Sequence, residues 1–326
     1  MNGHTLTTAL AMLALLVASG CATGPSPHER ARGVESVQAT PRSPRLEPGI
    51  YDVATGERIT REDLYERLSS HRFIIVGESH DDAWHHEVQR DVYRGLTEVT
   101  GAQAKVLLGM EMVQRPYQEG LDRYTREEID QEAMLEAIDY KERWGFPVEF
   151  YSPLWQHARA TGSRVIALNA RRELTRRCAK VGLDKLTEEE RASLPAEMDL
   201  TNAAHRAWVK QIFEGHGMAM DDETFQKFYE AQVIWDETMA ETAVEAMAAQ
   251  PAEARMLIVA GAGHVINGWG IPSRIARRTE DPTSVVTLLP VSPEKRTDSL
   301  AAPSGATEAD LAAWRAMKHA DYVWVY

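Results

Sequence analysis

Five short apolar runs recur along this chain: Phe73 to Val76, Val106 to Met110, Val165 to Leu168, Met256 to Ala260 and Val285 to Leu289. They show little alternation, a pattern that suits parallel strands covered by helices on each face. Between the first two, Trp84, Val88, Val92, Leu96 and Val99 recur at three- and four-residue spacing, which predicts an amphipathic helix from about Asp82 to a stop at Gly101. Strand, helix and strand in so short a span make a βαβ unit with a right-handed crossover. The later spacers exceed what a crossover needs. Helical insertions are expected at about 120–150, opened by the capping-box-like Thr125-Arg-Glu-Glu128, and at about 184–250, broken near Pro195 and Gly215 to Gly217. The expected fold class is therefore α/β, a mostly parallel β-sheet with helices on both faces plus a helical cap lobe. Tyr322 to Tyr326 is expected as an edge strand or a surface segment.

The pattern changes at the amino end. Thr8 to Val17 is an apolar run too short to span a bilayer and of the length of a signal-peptide core. It leads into Ala18-Ser19-Gly20-Cys21, which resembles the lipobox of bacterial lipoproteins, although no Lys or Arg precedes the run. Residues 1–20 are expected as a lipoprotein signal peptide, Cys21 as the lipidation site, 21–48 as a Pro-rich flexible linker and 49–326 as the folded domain. An acyl group on Cys21 would hold the protein to a membrane without crossing it. Ala22 after that cysteine favours the outer membrane of a Gram-negative envelope, facing the periplasm.

Charge and cysteine content narrow the chemistry. Thirty-six Lys and Arg against forty-nine Asp and Glu give a net charge of −13, whose average field repels a nucleic-acid backbone. Two cysteines, Cys21 and Cys178, build neither a disulfide framework nor a Cys-x-x-Cys pair. Cys178 falls in line with Leu174 and Val181, as an inert buried thiol would.

The residues that end each apolar run are more informative. The runs close in Gly77-Glu78-Ser79-His80, Gly109-Met110-Glu111, Asn169-Ala170-Arg171 and Gly261-Ala262-Gly263-His264. Ligands of open α/β sheets bind outside the carboxyl ends of the strands, so these side chains should gather at one edge. Glu78 and His80, two apart, point the same way if the chain stays extended. Two imidazoles and two carboxylates there admit two chemistries. His80, Glu111, His264 and Glu78 could hold zinc or another divalent ion, or a Glu and His pair could act as general base and acid without metal. His86 is near enough in sequence to join them. Arg171 and Arg172 open a helix, where cations oppose the macrodipole and a bound anion would compensate. Gln232 and Asp236 lie on the apolar stripe of a helix from Phe225 to Met247, where a buried amide or carboxylate needs a partner. Met218, Met220 and Met239 read first as gap-fillers.

These blocks, with Gln232 to Ala240 and Ala260 to Val265, resemble the ChaN-like haem-binding uptake family. That family belongs to a wider group with Tiki and TraB proteins and is similar to erythromycin esterases. The resemblance runs from about Ile50 to Leu289. It implies an α/β sheet with a helical lobe, a bacterial lipoprotein, haem or iron as cargo, and allows a homodimer. It also implies that His80, His264 and Glu111 are functional residues. For haem, a tyrosine or histidine ligand, an apolar slot and an arginine for the propionates are expected, with Tyr117, Tyr140, Tyr151 and Tyr229 available. Two functions stay open: a membrane-anchored haem-binding lipoprotein serving iron uptake, and a metal-dependent or His/Glu-based hydrolase working in the same cleft.

Overall fold

A computed structural model describes residues 43–101, 105–215, 220–292, 294 and 306–326. The expected signal peptide, the lipidation site Cys21, most of the linker and Met218 lie outside them. The strands are β1 (Gly49–Asp52), β2 (Arg58–Ile59), β3 (Phe73–Glu78), β4 (Val106–Gln114), β5 (Val165–Asn169), β6 (Arg255–Gly261), β7 (Val285–Val291) and β8 (Tyr322–Val325). They form one eight-stranded sheet in the order β2-β1-β8-β7-β3-β6-β4-β5. Neighbours from β8 to β5 pair in parallel, whereas β1 pairs antiparallel with both β8 and β2. The five expected strands are all present and nearly fully buried, as covering on both faces requires. Tyr322 to Val325 is an interior strand rather than an edge, because Gly49 to Asp52 hydrogen-bonds along its outer side.

One sheet face carries α1 (Arg61–Ser69), α2 (Ala83–Thr100), α3 (Gln118–Thr125), α4 (Gln131–Ala137), α5 (Tyr140–Arg143) and α6 (Val148–Ala160). Leu64, Leu68, Val92, Leu96, Leu121 and Trp155 pack there on Ile74, Val76, Leu108 and Val259. The first insertion therefore layers over the sheet rather than joining the lobe. The Asp82 side chain caps α2 by accepting from the Trp84 N–H, and Gly101 follows the last turn at φ +68°. Trp84 and Val99, expected on the buried stripe, are 42% and 43% exposed at the two ends of that helix. Thr125 closes α3 instead of opening a helix: its hydroxyl donates back to the Leu121 and Asp122 carbonyls, and Asp130 caps α4.

The opposite face carries α11 (Ile271–Thr279), α12 (Glu308–Met317) and the second half of α10 (Asp222–Ala248). A separate apolar cluster joins α7 (Arg172–Val181), α9 (Ala203–Gly215) and the first half of α10, with the short α8 (Glu188–Arg191) beside it. Over its 27 residues, roughly 40 Å, α10 runs from the lobe onto the sheet. Phe225, Phe228 and Tyr229 fill the lobe, and Met239, Ala243 and Met247 fill the sheet face. The turns between these clusters hold Gln232 and Asp236.

At the domain's start, the Leu46 N–H donates to the Ala306 carbonyl and Pro44 O accepts from the Glu308 N–H. These residues of the expected linker are thus docked, with Leu46 buried. Among the described residues no helix is long and apolar enough to cross a membrane.

Candidate functional site

Strands β3, β6 and β4 are adjacent, with Glu78 level with Gly261 across the first pair. Glu78 ends β3, Glu111 lies near the end of β4, and His264 sits on the turn after β6. His80 Nδ1 is 2.5 Å from Glu78 Oε1, and His264 Nδ1 is 2.6 Å from Asp236 Oδ1. Each imidazole thus commits one nitrogen to a buried carboxylate. Glu111 stands between them, its Oε2 accepting from the Gly261 N–H at 2.6 Å and its Oε1 3.5 Å from His264 Nε2. Position 261 is tight: a Cβ there would fall 3.0 Å from His80 Cε1 and 3.2 Å from His80 Nε2, so the ring would have to give by a few tenths of an ångström, while Glu111 Oε2 would be in ordinary contact at 3.6 Å.

Burial opposes every charge in this row, and the partners reverse its effect. Glu78 stays well below the usual carboxylate range despite burial because His86 and His80 face it. Glu111 and Asp236 are also lowered against their burial, Glu111 by His264 and His80 and Asp236 by His264 and Arg274. His264 is half-buried, and Glu111 and Asp236 push it up to about 10, while His80 is raised by Glu78 and Glu111. Carboxylates whose ionised form is favoured thus alternate along this row with imidazoles whose protonated form is favoured.

Behind it lie residues with supporting roles. His86 is beneath the site, its Nδ1 3.1 Å from Glu78 Oε2, its Nε2 3.2 Å from the His80 carbonyl and its ring stacked on Phe150. Gln89 and Tyr151 also donate to Glu78, leaving neither of its oxygens open. Asn169 donates to the Glu111 carbonyl, and the Gln232 amide lies 3.1 Å from His264 Nδ1. Arg171 is exposed at the start of α7, where it turns away, while Arg172 lines the cleft. The proposed metal set therefore meets as a hydrogen-bonded cluster: among the described residues no group of three or more His, Cys, Asp or Glu is arranged to hold a metal ion. Met239 is buried in the sheet-face core and Met220 packs on the lobe.

Sequence reasoning missed several neighbours. His205, fully buried on α9, lies 3.7 Å from Asp236 Oδ2, and burial together with Arg274 and His264 pulls it down to about 4. Arg274 approaches the same carboxylate from α11 at 3.9 Å and also pairs with buried Glu237. Neither carries a glycine motif or an odd place in a stripe. Trp144 and Phe146 cover His80, with ring centroids 4.8 and 5.2 Å from its own.

The cleft opens as a cavity of about 60 Å³ lined by Glu111, Met112, Gln114, Arg143, Trp144, Asn169, Ala170, Arg172, Trp235 and His264. A separate groove of about 710 Å³ runs along the antiparallel sheet edge between Trp84, Trp324, Arg58, Arg61 and Tyr326. Of the four candidate tyrosines, Tyr140, Tyr151 and Tyr229 are buried in the core. Tyr117 is half-buried beside the cleft, with the Arg143 guanidinium 5.1 Å above its ring.

Comparison with known proteins gives three findings. The family described as "Haem-binding uptake, Tiki superfamily, ChaN" matches residues 64–275. A curated relative, the chloroplastic Protein RETICULATA-RELATED 5 of Arabidopsis thaliana, is 24% identical over an alignment of 268 residues that covers 76% of this chain. The chain spans only 35% of that relative's length. Among solved structures, ChaN of Campylobacter jejuni, described with cofacially bound haem, superposes with a TM-score of 0.62 at 20% identity, covering 85% of this chain and 96% of that one. An erythromycin esterase mutant in its open conformation superposes at 0.45 with 13% identity, covering 81% of each chain.

Proposed function

This chain belongs to the haem-binding uptake family of the Tiki superfamily, ChaN, and from that premise we propose that it binds haem as cargo for iron uptake at a bacterial envelope membrane. The family match over residues 64–275 carries the reading. The lipobox-like Ala18 to Cys21 supports a lipid anchor, in an outer membrane and facing the periplasm. The cleft offers chemistry that suits such a cargo: the guanidiniums of Arg143 and Arg172 and the indoles of Trp144 and Trp235 line it, and the half-buried Tyr117 ring lies against Arg143. At about 60 Å³ the cavity is well short of the roughly 300 Å³ at which pockets begin to enclose a drug-sized ligand, so the macrocycle would rest on the rim. The cofacial haem named for the Campylobacter jejuni protein supports a homodimer of the loaded chain.

Haemin titrated into the purified chain, with Cys21 replaced by serine, should produce a saturable Soret change at micromolar protein, weakened in Tyr117→Phe. No saturable change would defeat the proposal. A loss in Tyr326→Phe but not in Tyr117→Phe would move the cargo to the groove at the sheet edge. Light scattering with and without haemin tests the dimer.

The geometry favours a second reading, metal-free hydrolysis. Glu111 would take a proton from an attacking water while His264 Nε2–H protonates the leaving group, with Asp236 and Glu78 holding the two imidazoles. A panel of ester, lactone and peptide substrates addresses it, and turnover unchanged in His80→Ala and His264→Ala would exclude it.

A further inference from the structure

Most arginines near the cleft are already answered by carboxylates. Arg143 lies 3.1 Å from Asp139 and 2.6 Å from Glu173. Arg274, Arg277 and Arg278 converge on Glu237. Arg172 differs. It lines the cavity, its Nη1 donates to the Glu142 carbonyl at 2.5 Å, and among the described residues it makes no ion pair. Its Nε is buried and has no hydrogen-bond partner. The residue as a whole is only half-buried and its bond to Glu142 lies at the surface, so the terminal nitrogens, not the enclosed Nε, are within reach of a ligand.

The surroundings fix how the guanidinium is held. Gln114 Oε1 accepts from both the Arg172 backbone N–H at 3.1 Å and Arg143 Nη1 at 3.3 Å, tying the two arginines to the end of β4. Glu111 is the only carboxylate among the cavity-lining residues, and its oxygens face the Gly261 N–H and His264. The cavity, at about 60 Å³, has room for a few non-hydrogen atoms, a water's share of liquid being roughly 30 Å³. A planar guanidinium pairs best with a carboxylate, through two parallel hydrogen bonds.

We propose that Arg172, with Arg143 beside it, forms a subsite for the carboxylate of a ligand whose body lies outside the cavity. The carboxylate oxygens would accept from the terminal Nη groups of Arg172, while Trp144 and Trp235 flank the chain that carries them. For a haem propionate the assignment rests on haem being the cargo; for the acid group of another ligand it does not.

The test has two arms. In the first, acetate is titrated into the ¹⁵N-labelled full chain at constant ionic strength, with chloride as control, and the Arg172 Nε–H resonance is followed. A saturable movement with acetate and none with chloride is expected; a flat response, or one matched by chloride, overturns the subsite. In the second, haemin and haemin dimethyl ester are titrated into the wild type, Arg172→Gln and Arg172→Lys. Haemin weakened about tenfold in Arg172→Gln, partly restored in Arg172→Lys and with the ester unaffected, assigns the carboxylate to a propionate. Equal affinities in all three proteins, with the acetate response retained, assign the subsite to a different carboxylate ligand. A wild type that binds neither form of haem defeats the haem reading and leaves the acetate arm to decide the subsite.

Discussion

Replacing Asp236 by asparagine keeps the shape of the buried side chain and removes its charge, leaving His264 with Glu111 as its one carboxylate neighbour. Glu111 and Asp236 together push His264 from 6.5 up to about 10 against its burial. The Asp236 share should lower the imidazole's proton affinity by tenfold to a hundredfold, about 1.4 to 2.8 kcal/mol. His264 is raised on folding, so its stabilisation is complete below pH 6.5 and fades as pH climbs towards 10. In Asp236→Asn that fading should be smaller and end at lower pH. NMR titration of the His264 ring gives the constant, and urea unfolding at the two ends of the window gives its effect on stability. A wild-type His264 titrating near 6.5, or a titration unmoved by Asp236→Asn, would refute the reasoning.

Glu78→Gln removes the charge that His80 and His86 both face, and should destabilise the fold by about 3 to 5 kcal/mol, as breaking a buried pair does; denaturant unfolding at neutral pH measures it. The Glu78 contribution, present above pH 4.5 because folding lowers this carboxyl, should fade only as the wild type is acidified below that value. Gly261→Ala should leave far-ultraviolet circular dichroism unchanged but displace the His80 ring by a few tenths of an ångström, visible as a shift of its NMR signals, because the new methyl would fall 3.0 Å from His80 Cε1. Cys178, fully buried with its thiol pushed up to about 12 by burial, should resist iodoacetamide in the native protein and react on unfolding.

The central strands were legible because strands covered on both faces must be continuously apolar, and the strand-end glycines marked where function could enter. Gln232 and Asp236 were legible for a related reason, polar groups on an apolar stripe, and the structure adds that they occupy the turns between two separate cores. Other parts depend on partners that local pattern does not reveal. Gly49 to Asp52 comes after a proline-rich stretch and becomes a strand by pairing with β8. His205 and Arg274 reach Asp236 from helices distant in the chain, and their own neighbours in sequence give no hint of it. Arg171 and Arg172 are alike in sequence; the direction in which α7 leaves the sheet sends one to solvent and the other to the cleft.

The position of β6 has a consequence for how the protein is made. It is synthesised well after β3 and β4 yet sits between them, and the Glu111–Gly261 hydrogen bond spans 150 residues. A nascent chain holding only the earlier strands has a slot in mid-sheet and cannot juxtapose Glu78 with Glu111. Ligand capture should therefore mature late, after the slow long-range closure of the sheet, and its onset in a translation time course would timestamp the insertion of that strand.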